Sequence, residues 1–97
     1  NDVTSAEPKN YFTIESISKV TAGTIFMGHV VSGTFRIGDR IFIKGKGFSS
    51  TSTLLNIRKN FQDNKEVSVD TKYSCGLVVA EKIDHFDFIE AGDVIST

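Results

Sequence analysis

Hydrophobic and polar residues follow the two-residue period of a β-strand along much of the chain. In the segment 23–43, β-branched and aromatic residues are concentrated in Ile25–Val31 and Ile41–Ile43, on either side of a stretch rich in glycine. Such residues favour strands, and glycine favours the turns between them. The segment therefore predicts a strand, tight turns and a returning strand.

The strand predicted at about 24–32 has two unlike faces. Because successive side chains point to opposite sides, placing Phe26, Gly28 and Val30 inward leaves an outward face with three apolar residues and one histidine: Ile25, Met27, Val31 and His29. We expect another segment or a partner to cover this apolar face. A glycine inside a strand, as at Gly28, predicts a bulge or a close backbone approach.

Other parts of the chain also indicate strands. In residues 12–20 apolar and polar side chains alternate, and the alternation shifts by one residue part-way along. This pattern predicts a long first strand with a twist or bulge. Residues 54–61 predict a third long strand. Residues 45–53 are rich in glycine and hydroxyl groups and predict a soft loop, and the polar residues 62–65 predict a turn.

The end of the chain completes the predicted fold. Gly76–Ala80 is the most apolar run, which predicts a strand buried on both faces, and residues 92–95 predict a closing strand. Helix is expected only as one turn around residues 86–89. We predict an all-β fold, a small closed antiparallel Greek-key-like barrel of about six strands. Residues 1–10 are expected to be a flexible lead or linker, and residues 11–97 the single barrel domain.

Composition narrows the class of protein. A chain of 97 residues with a formal net charge of −1 fits one domain with no general attraction to nucleic acid or membranes. Cys75 is the only cysteine, so an intramolecular disulfide is excluded and a cytoplasmic location is expected. No apolar run is long enough for a membrane-spanning helix. Because the chain begins with Asn1, we expect a processed product or a domain cut from a larger factor.

The charges are unevenly distributed. Between Arg36 and Lys59 the net charge is +5, and between Glu81 and Asp93 it is −4. Two interpretations are open: the two blocks neutralise each other across the fold, or the basic block forms a face for RNA.

The sequence does not indicate an enzyme. The phosphate-binding spacing Gly-x-x-x-x-Gly-Lys-Ser/Thr is absent, so we expect no GTP binding by this route. Cys75 would need a base, for which only His29 and His85 are present, and a cysteine before an apolar strand is more typical of inert core. His29 has no second ligand at a metal-binding spacing. We therefore expect no catalysis, metal or cofactor.

Several short motifs carry a resemblance to a known family. They are Gly23-Thr24, Gly28, Val30, Ser32-Gly33, Ile37-Gly38-Asp39, Cys75-Gly76-Leu77 and Ile89–Ile95. Over roughly residues 12–96 the chain resembles the second domain of translational GTPases, the barrel that follows the GTP-binding domain in elongation factor Tu and occurs near the C-terminus of bacterial initiation factor two. The resemblance implies turns or close approaches at Gly23, Gly28, Gly33, Gly38, Asp39, Gly92 and Asp93.

In that family the barrel contacts the acceptor end of aminoacyl-tRNA, ribosomal RNA or both. Arg58 and Lys59 follow a strand that carries basic residues in the initiation factor. Tyr73, Cys75 and Gly76 match its Tyr-x-Cys-Gly motif. Cations suit phosphate, and an aromatic ring stacks on a base. The candidate RNA-binding residues are therefore Arg58, Lys59, Phe61, Tyr73, Cys75, Gly76, Lys44 and Lys46.

Three functions remain open at this point. The barrel could bind tRNA or ribosomal RNA in protein biosynthesis, or dock on a GTPase domain in the same or another chain. It could also be a stand-alone protein-interaction barrel without RNA contact, because fold alone does not fix function.

Overall fold

The protein is described here by a computed structural model that covers residues 10–69 and 72–97. The flexible lead predicted at residues 1–10 lies outside the described residues, except for Asn10. Within the described ranges the chain is built from ten strands and one short 3-10 helix.

The strands follow one another closely along the chain. They are β1 (Tyr11–Val20), β2 (Gly23–Ser32), β3 (Thr34–Arg36), β4 (Arg40–Gly45), β5 (Phe48–Thr53), β6 (Asn56–Lys59), β7 (Gln62–Asn64), β8 (Glu66–Ser68), β9 (Cys75–Val79) and β10 (Val94–Ser96). The 3-10 helix, Ile83–Phe86, lies between β9 and β10. The single helical turn predicted around residues 86–89 therefore forms about one turn earlier.

The strands pair antiparallel in two sheets. Eight form one sheet in the order β5-β4-β10-β1-β2-β9-β6-β7, and β3 pairs with β8. Neighbouring strands β1–β2, β4–β5 and β6–β7 are hairpins, whereas β10 returns from the end of the chain to lie between β4 and β1, as a distant strand of a Greek key does. The prediction of an all-β antiparallel fold is confirmed.

Three details of the predicted fold differ from the structure. The expected count of about six strands is too low, because the predicted loop 45–53 contains β5 and the predicted turn 62–65 contains β7. The third strand, predicted over 54–61, is confined to β6. Among the described strands the pairing runs from β5 at one edge to β7 at the other and does not join these edges, so it shows no closed barrel.

Strand β5 shows why a polar composition was misleading. Its six residues pair with β4 from Phe48 to Thr53, and the hydroxyl side chains alternate between exposed and more buried positions. Ser52 is buried, and its Oγ donates a hydrogen bond of 2.6 Å to the Glu81 carboxylate. A hydroxyl on the inner face is acceptable because this partner satisfies it.

The long first hairpin contains the predicted irregularities. The register of β1 against β2 shifts between Tyr11 and Phe12 and again between Ile14 and Ser16. A Cβ built on Gly28 would overlap the carbonyl oxygen of Thr13 on the neighbouring strand. A glycine is therefore required here for the close approach of two backbones, as its place within the strand predicted.

The corner after β3 is a hydrogen-bonded turn. The amide of Asp39 donates to the carbonyl of Arg36 at 3.0 Å, and the Asp39 carboxylate accepts the Arg36 amide at 2.8 Å. Gly38 has φ +94°, as the third position of a type II turn requires. The corner is fixed to Leu54, whose carbonyl accepts the Gly38 amide at 2.8 Å and whose amide donates to the Asp39 carbonyl at 2.9 Å.

The corner before β10 repeats these contacts. Asp93 donates to the Glu90 carbonyl at 3.0 Å, and its carboxylate accepts the Glu90 amide at 2.9 Å, with Gly92 at φ +98°. Here the buried partner is Ile14, which accepts from Gly92 and donates to the Asp93 carbonyl, both at 2.8 Å. The two Gly-Asp motifs therefore form matching corners on opposite halves of the chain.

The core lies between the inner faces of the strands. Phe12 and Phe35 meet edge to face at 6.2 Å between ring centroids, and Phe26 meets Phe86 at 4.9 Å. All five residues of β9 are buried, which confirms the buried strand predicted at Gly76–Ala80 except at its end, where Ala80 is exposed and outside the strand. Burial of these rings and aliphatic side chains is the main term that stabilises the fold.

Candidate nucleic-acid interface

A shallow groove lies where the β6–β7 hairpin meets the outward face of β2. Its volume is about 310 Å³, and it brings together three of the candidate RNA-binding residues, Arg58, Phe61 and Tyr73. The remaining lining is Ile25, Met27, Asn60 and Ser74. The groove thus has an apolar floor from β2 and a rim that carries two aromatic rings and a guanidinium group.

Gly76 makes room for the floor. It pairs with Met27 across β2 and β9, and a Cβ at this position would overlap the side chain of Ile25 and lie 2.8 Å from Met27 Sδ. Any larger residue would displace these two side chains into the groove. Ile25 is buried and Met27 half-buried, whereas Val31 is exposed, so the outward face of β2 is covered at one end only.

Phe61 stands at the tip of the β6–β7 hairpin. Asn60 and Phe61 have φ values of +55° and +63°, the pattern of a type I′ turn. Asparagine tolerates this left-handed conformation, but for a bulky residue it is a strained outlier. The Phe61 side chain is 97% exposed, so no packing contact explains an aromatic residue here. Strain of this kind is concentrated at functional sites.

Arg58 forms the charged side of the groove. Its Nη1 lies 3.0 Å from Asp63 Oδ1, the residue opposite on β7, and its Nη2 donates to the Phe61 carbonyl at 3.4 Å. Asn56 also donates to Asp63 Oδ1, at 3.0 Å. The guanidinium is therefore held near the turn, with its charge partly compensated. Because both partners are exposed, this pair contributes about 1 kcal/mol or less.

Tyr73 brings a second cation to the rim. Its ring is half exposed, and the Lys72 ammonium lies 5.3 Å from the ring centroid, within the range of a cation–π contact. Lys72 and Asn60 were not among the candidate residues. The sequence held a signal for each: a lysine next to the candidate tyrosine, and an asparagine directly before an unexplained aromatic residue.

Cys75 and Lys59 lie beside the groove, not on its lining. Cys75 is 2% exposed and belongs to the core. Lys59 is half-buried on β6, next to Arg58 and on the alternate face of the strand.

Lys44 and Lys46 lie away from the groove within the sheet. Lys44 is on β4 and Lys46 in the turn before β5, and four strands, β10, β1, β2 and β9, separate β4 from β6. The structure therefore does not join them to Arg58 in one paired region of the sheet. Any contribution from them would come from a second contact area.

The predicted turn residues lie at or between strand ends, apart from Gly28 inside β2. Positive φ angles occur at Gly23, Gly33, Gly38 and Gly92. Gly23 begins β2, and a Cβ there would overlap the carbonyl oxygen of Val79. These residues shape the sheet and do not line the groove.

Two cations of the basic block pair with acids outside the acidic block. Arg36 pairs with Glu66 at 3.3 Å, and Arg58 pairs with Asp63. His29, considered as a metal ligand, has its Nδ1 2.7 Å from Glu15 Oε2. In residues 10–69 and 72–97 no group of three or more His, Cys, Asp or Glu could hold a metal ion, and no helix is long and apolar enough to cross a membrane.

Comparison with known proteins gives information on the fold. No family model matches the chain, and no curated protein matches it. Among 103 matching chains of solved structures is a bacterial selenocysteine-specific elongation factor, EF-Sec, with a TM-score of 0.75 and 16% sequence identity. The match covers 92% of this chain and 14% of the EF-Sec chain, so this protein corresponds to one small part of that factor. The chain has the fold of a translation-factor barrel domain, which confirms the resemblance seen in the sequence.

Proposed function

We propose that the barrel binds a single-stranded RNA end in the groove between Phe61 and Tyr73, as a non-catalytic module of a translation factor. The observation that carries the proposal is Phe61: a fully exposed ring in a strained conformation at the rim of a groove. Solvent exposure of such a ring costs free energy in the free protein, and stacking on a base would recover it.

The groove has the chemistry that single-stranded RNA requires. Two aromatic rings, Phe61 and Tyr73, offer faces for unstacked bases, and the Ile25–Met27 floor can accept the edge of a base or an apolar group attached to the RNA end. Arg58 and Lys72 supply positive charge next to the rings, where the phosphates of a stacked strand would pass. The acceptor end of tRNA and a ribosomal RNA strand both have this chemistry.

The proposal is tested with a labelled RNA oligonucleotide that ends in CCA. Fluorescence anisotropy gives its Kd for the wild-type chain and for the Phe61→Ala and Tyr73→Ala variants. Each variant should bind about tenfold more weakly, since stacking on an aromatic side chain contributes about 1–3 kcal/mol per base. Val31→Ala, an exposed apolar residue of β2 outside the groove, is the control and should bind as the wild type does.

Docking on a protein is the second candidate function. It is favoured by the apolar floor, because Ile25 and Met27 resemble the centre of a protein interface more than a phosphate track. Wild-type protein that binds no RNA at low ionic strength would exclude the RNA proposal and leave this second one.

A further inference from the structure

A second aromatic surface lies away from the RNA groove. We call it the Phe88 platform, consisting of Phe48, His85 and Phe88. The ring of Phe48 lies 6.0 Å from that of His85 and 6.4 Å from that of Phe88. Phe88 is 75% exposed, so one of the largest apolar side chains of the chain points into solvent here.

The platform is held in place by the residues around it. Phe86 and Ile89, on either side of Phe88 along the chain, are both buried in the core. The amide of Ile89 donates to the Phe86 carbonyl at 3.0 Å, and the turn that follows is closed by Asp93. The exposure of Phe88 is therefore imposed by two anchors and is not the result of a loose loop. A side chain presented in this way loses little conformational entropy on binding.

The charges on the chain segment that carries Phe88 are negative, whereas on the β4–β5 hairpin the exposed Lys46 lies two residues before Phe48. Asp84, Asp87 and Glu90 are exposed and lie within six residues of each other along the chain, in the segment with a net charge of −4. Glu81, by contrast, is engaged by Ser52. A surface of this charge repels the phosphates of RNA and attracts cations. The platform and the RNA groove are therefore complementary to different partners.

We propose that the Phe88 platform docks an arginine-containing segment of a protein partner. A guanidinium is planar, stacks on an aromatic face, and at the same time donates hydrogen bonds from its edge to a carboxylate. Phe88 supplies the face, and Asp87 and Glu90, one and two residues away along the chain, supply the carboxylates. Lysine has the same charge but a compact, strongly hydrated ammonium group, so the platform should prefer arginine.

The platform is separate from the proposed RNA function. It is packed on the β4–β5 hairpin through Phe48, whereas the groove is lined from the β6–β7 hairpin and β2, and the two surfaces share no residue. One domain therefore presents separate residues to RNA and to a basic protein segment.

The test uses the full 97-residue chain and two labelled peptides of equal charge. One peptide alternates arginine with glycine and the other alternates lysine with glycine, and anisotropy at low ionic strength gives both affinities. Wild type should bind the arginine peptide more tightly. Phe88→Ala should weaken arginine-peptide binding about two- to fivefold and remove the preference over lysine. Neutralising Asp84, Asp87 and Glu90 together (D84N, D87N, E90Q) should weaken both peptides.

Two further variants keep the test decisive. Phe88→Leu retains an apolar side chain without an aromatic face, so it should lose the arginine preference even if the alanine variant folds poorly. Phe61→Ala removes a ring from the other hairpin and should leave peptide binding unchanged, while Phe88→Ala should leave RNA binding unchanged. Equal affinities for the two peptides, equal affinities of wild type and Phe88→Leu, or no peptide binding would each overturn the proposal.

Discussion

At the scale of single residues, Phe61 is the position where the observed backbone conformation differs most from the one predicted from the sequence. The sequence pattern predicted Phe61 at the end of a long strand, but it occupies the third position of a type I′ turn. No local signal marks a left-handed phenylalanine, because the usual residues in such turns are asparagine and glycine. The candidate list still contained Phe61, since an aromatic residue next to Arg58 and Lys59 fits RNA binding in any backbone conformation.

Substitutions at Phe61 separate strain from recognition. Phe61→Gly and Phe61→Ala both remove the ring, so both should weaken RNA binding equally. The left-handed backbone costs about 1–2 kcal/mol for an L-residue and nothing comparable for glycine. Glycine has a more flexible unfolded state, which offsets part of this advantage, so the glycine variant should be more stable than the alanine variant by about 1 kcal/mol. Urea unfolding measures the difference. An alanine variant as stable as the glycine variant would show that the turn is not left-handed in solution.

At the scale of elements, apolar strands were predictable and polar strands were not. The buried strand β9 and the bulged strand β1 were expected because their side chains face the core in an alternating or continuous apolar pattern. Strands β5 and β7 contain mostly hydroxyl, amide and acidic side chains, and they form because their backbones pair with β4 and β6. Pairing of this kind depends on a neighbour elsewhere in the chain, so a local pattern does not show it.

The contact between β9 and β2 predicts a specific coupling between two residues. Gly76→Ala should destabilise the protein by about 1–3 kcal/mol, because the new Cβ overlaps Ile25. Ile25→Val removes Cδ1, the nearest atom that the Cβ would meet, and so relieves part of the overlap. The double variant should therefore be more stable than Gly76→Ala alone, although Ile25→Val by itself costs about 1 kcal/mol. Chemical denaturation of the four proteins measures the coupling, and strictly additive effects would contradict the packing described here.

At the scale of the whole molecule, the sequence predicted the fold but not the individual side-chain contacts. The chain shares 16% identity with EF-Sec over the matched region, yet the fold is the same. The turn glycines, Asp39, Asp93 and the inward apolar positions were recognisable in the sequence, and in the structure they form the corners and the core. The groove depends on side chains from β2, β6, the β6–β7 turn and the segment before β9, and their meeting place follows only from the assembled sheet.

Electrostatics over the whole surface gives a prediction for RNA binding. Each phosphate contact should add about −0.7 to the slope of log affinity against log salt concentration for a single strand. Replacing Arg58 and Lys72, the two cations at the groove, together by alanine should flatten this slope by about one to one and a half if both contact phosphate. Asp63→Asn should raise the RNA affinity, because it removes the carboxylate that competes with phosphate for the Arg58 guanidinium. The measurement is RNA affinity at several salt concentrations, with a thermal melt as the folding control.

The salt experiment discriminates between two roles of Arg58. A slope that is unchanged in the double variant, with folding intact, would remove both cations from the RNA site. Weaker binding by Asp63→Asn would mean that the acid orients Arg58 more than it competes with phosphate.

The antiparallel pairing of β1 with β10 has a mechanical consequence. Tyr11, Phe12 and Thr13 face Ser96, Ile95 and Val94 in turn, and Asn10 Nδ2 donates to Thr97 Oγ1 at 2.8 Å. A force that pulls residue 10 away from residue 97 would load these pairs one after another, starting from the end, instead of all together. The domain should therefore unzip at low tension when stretched between these two points, however stable it is to heat.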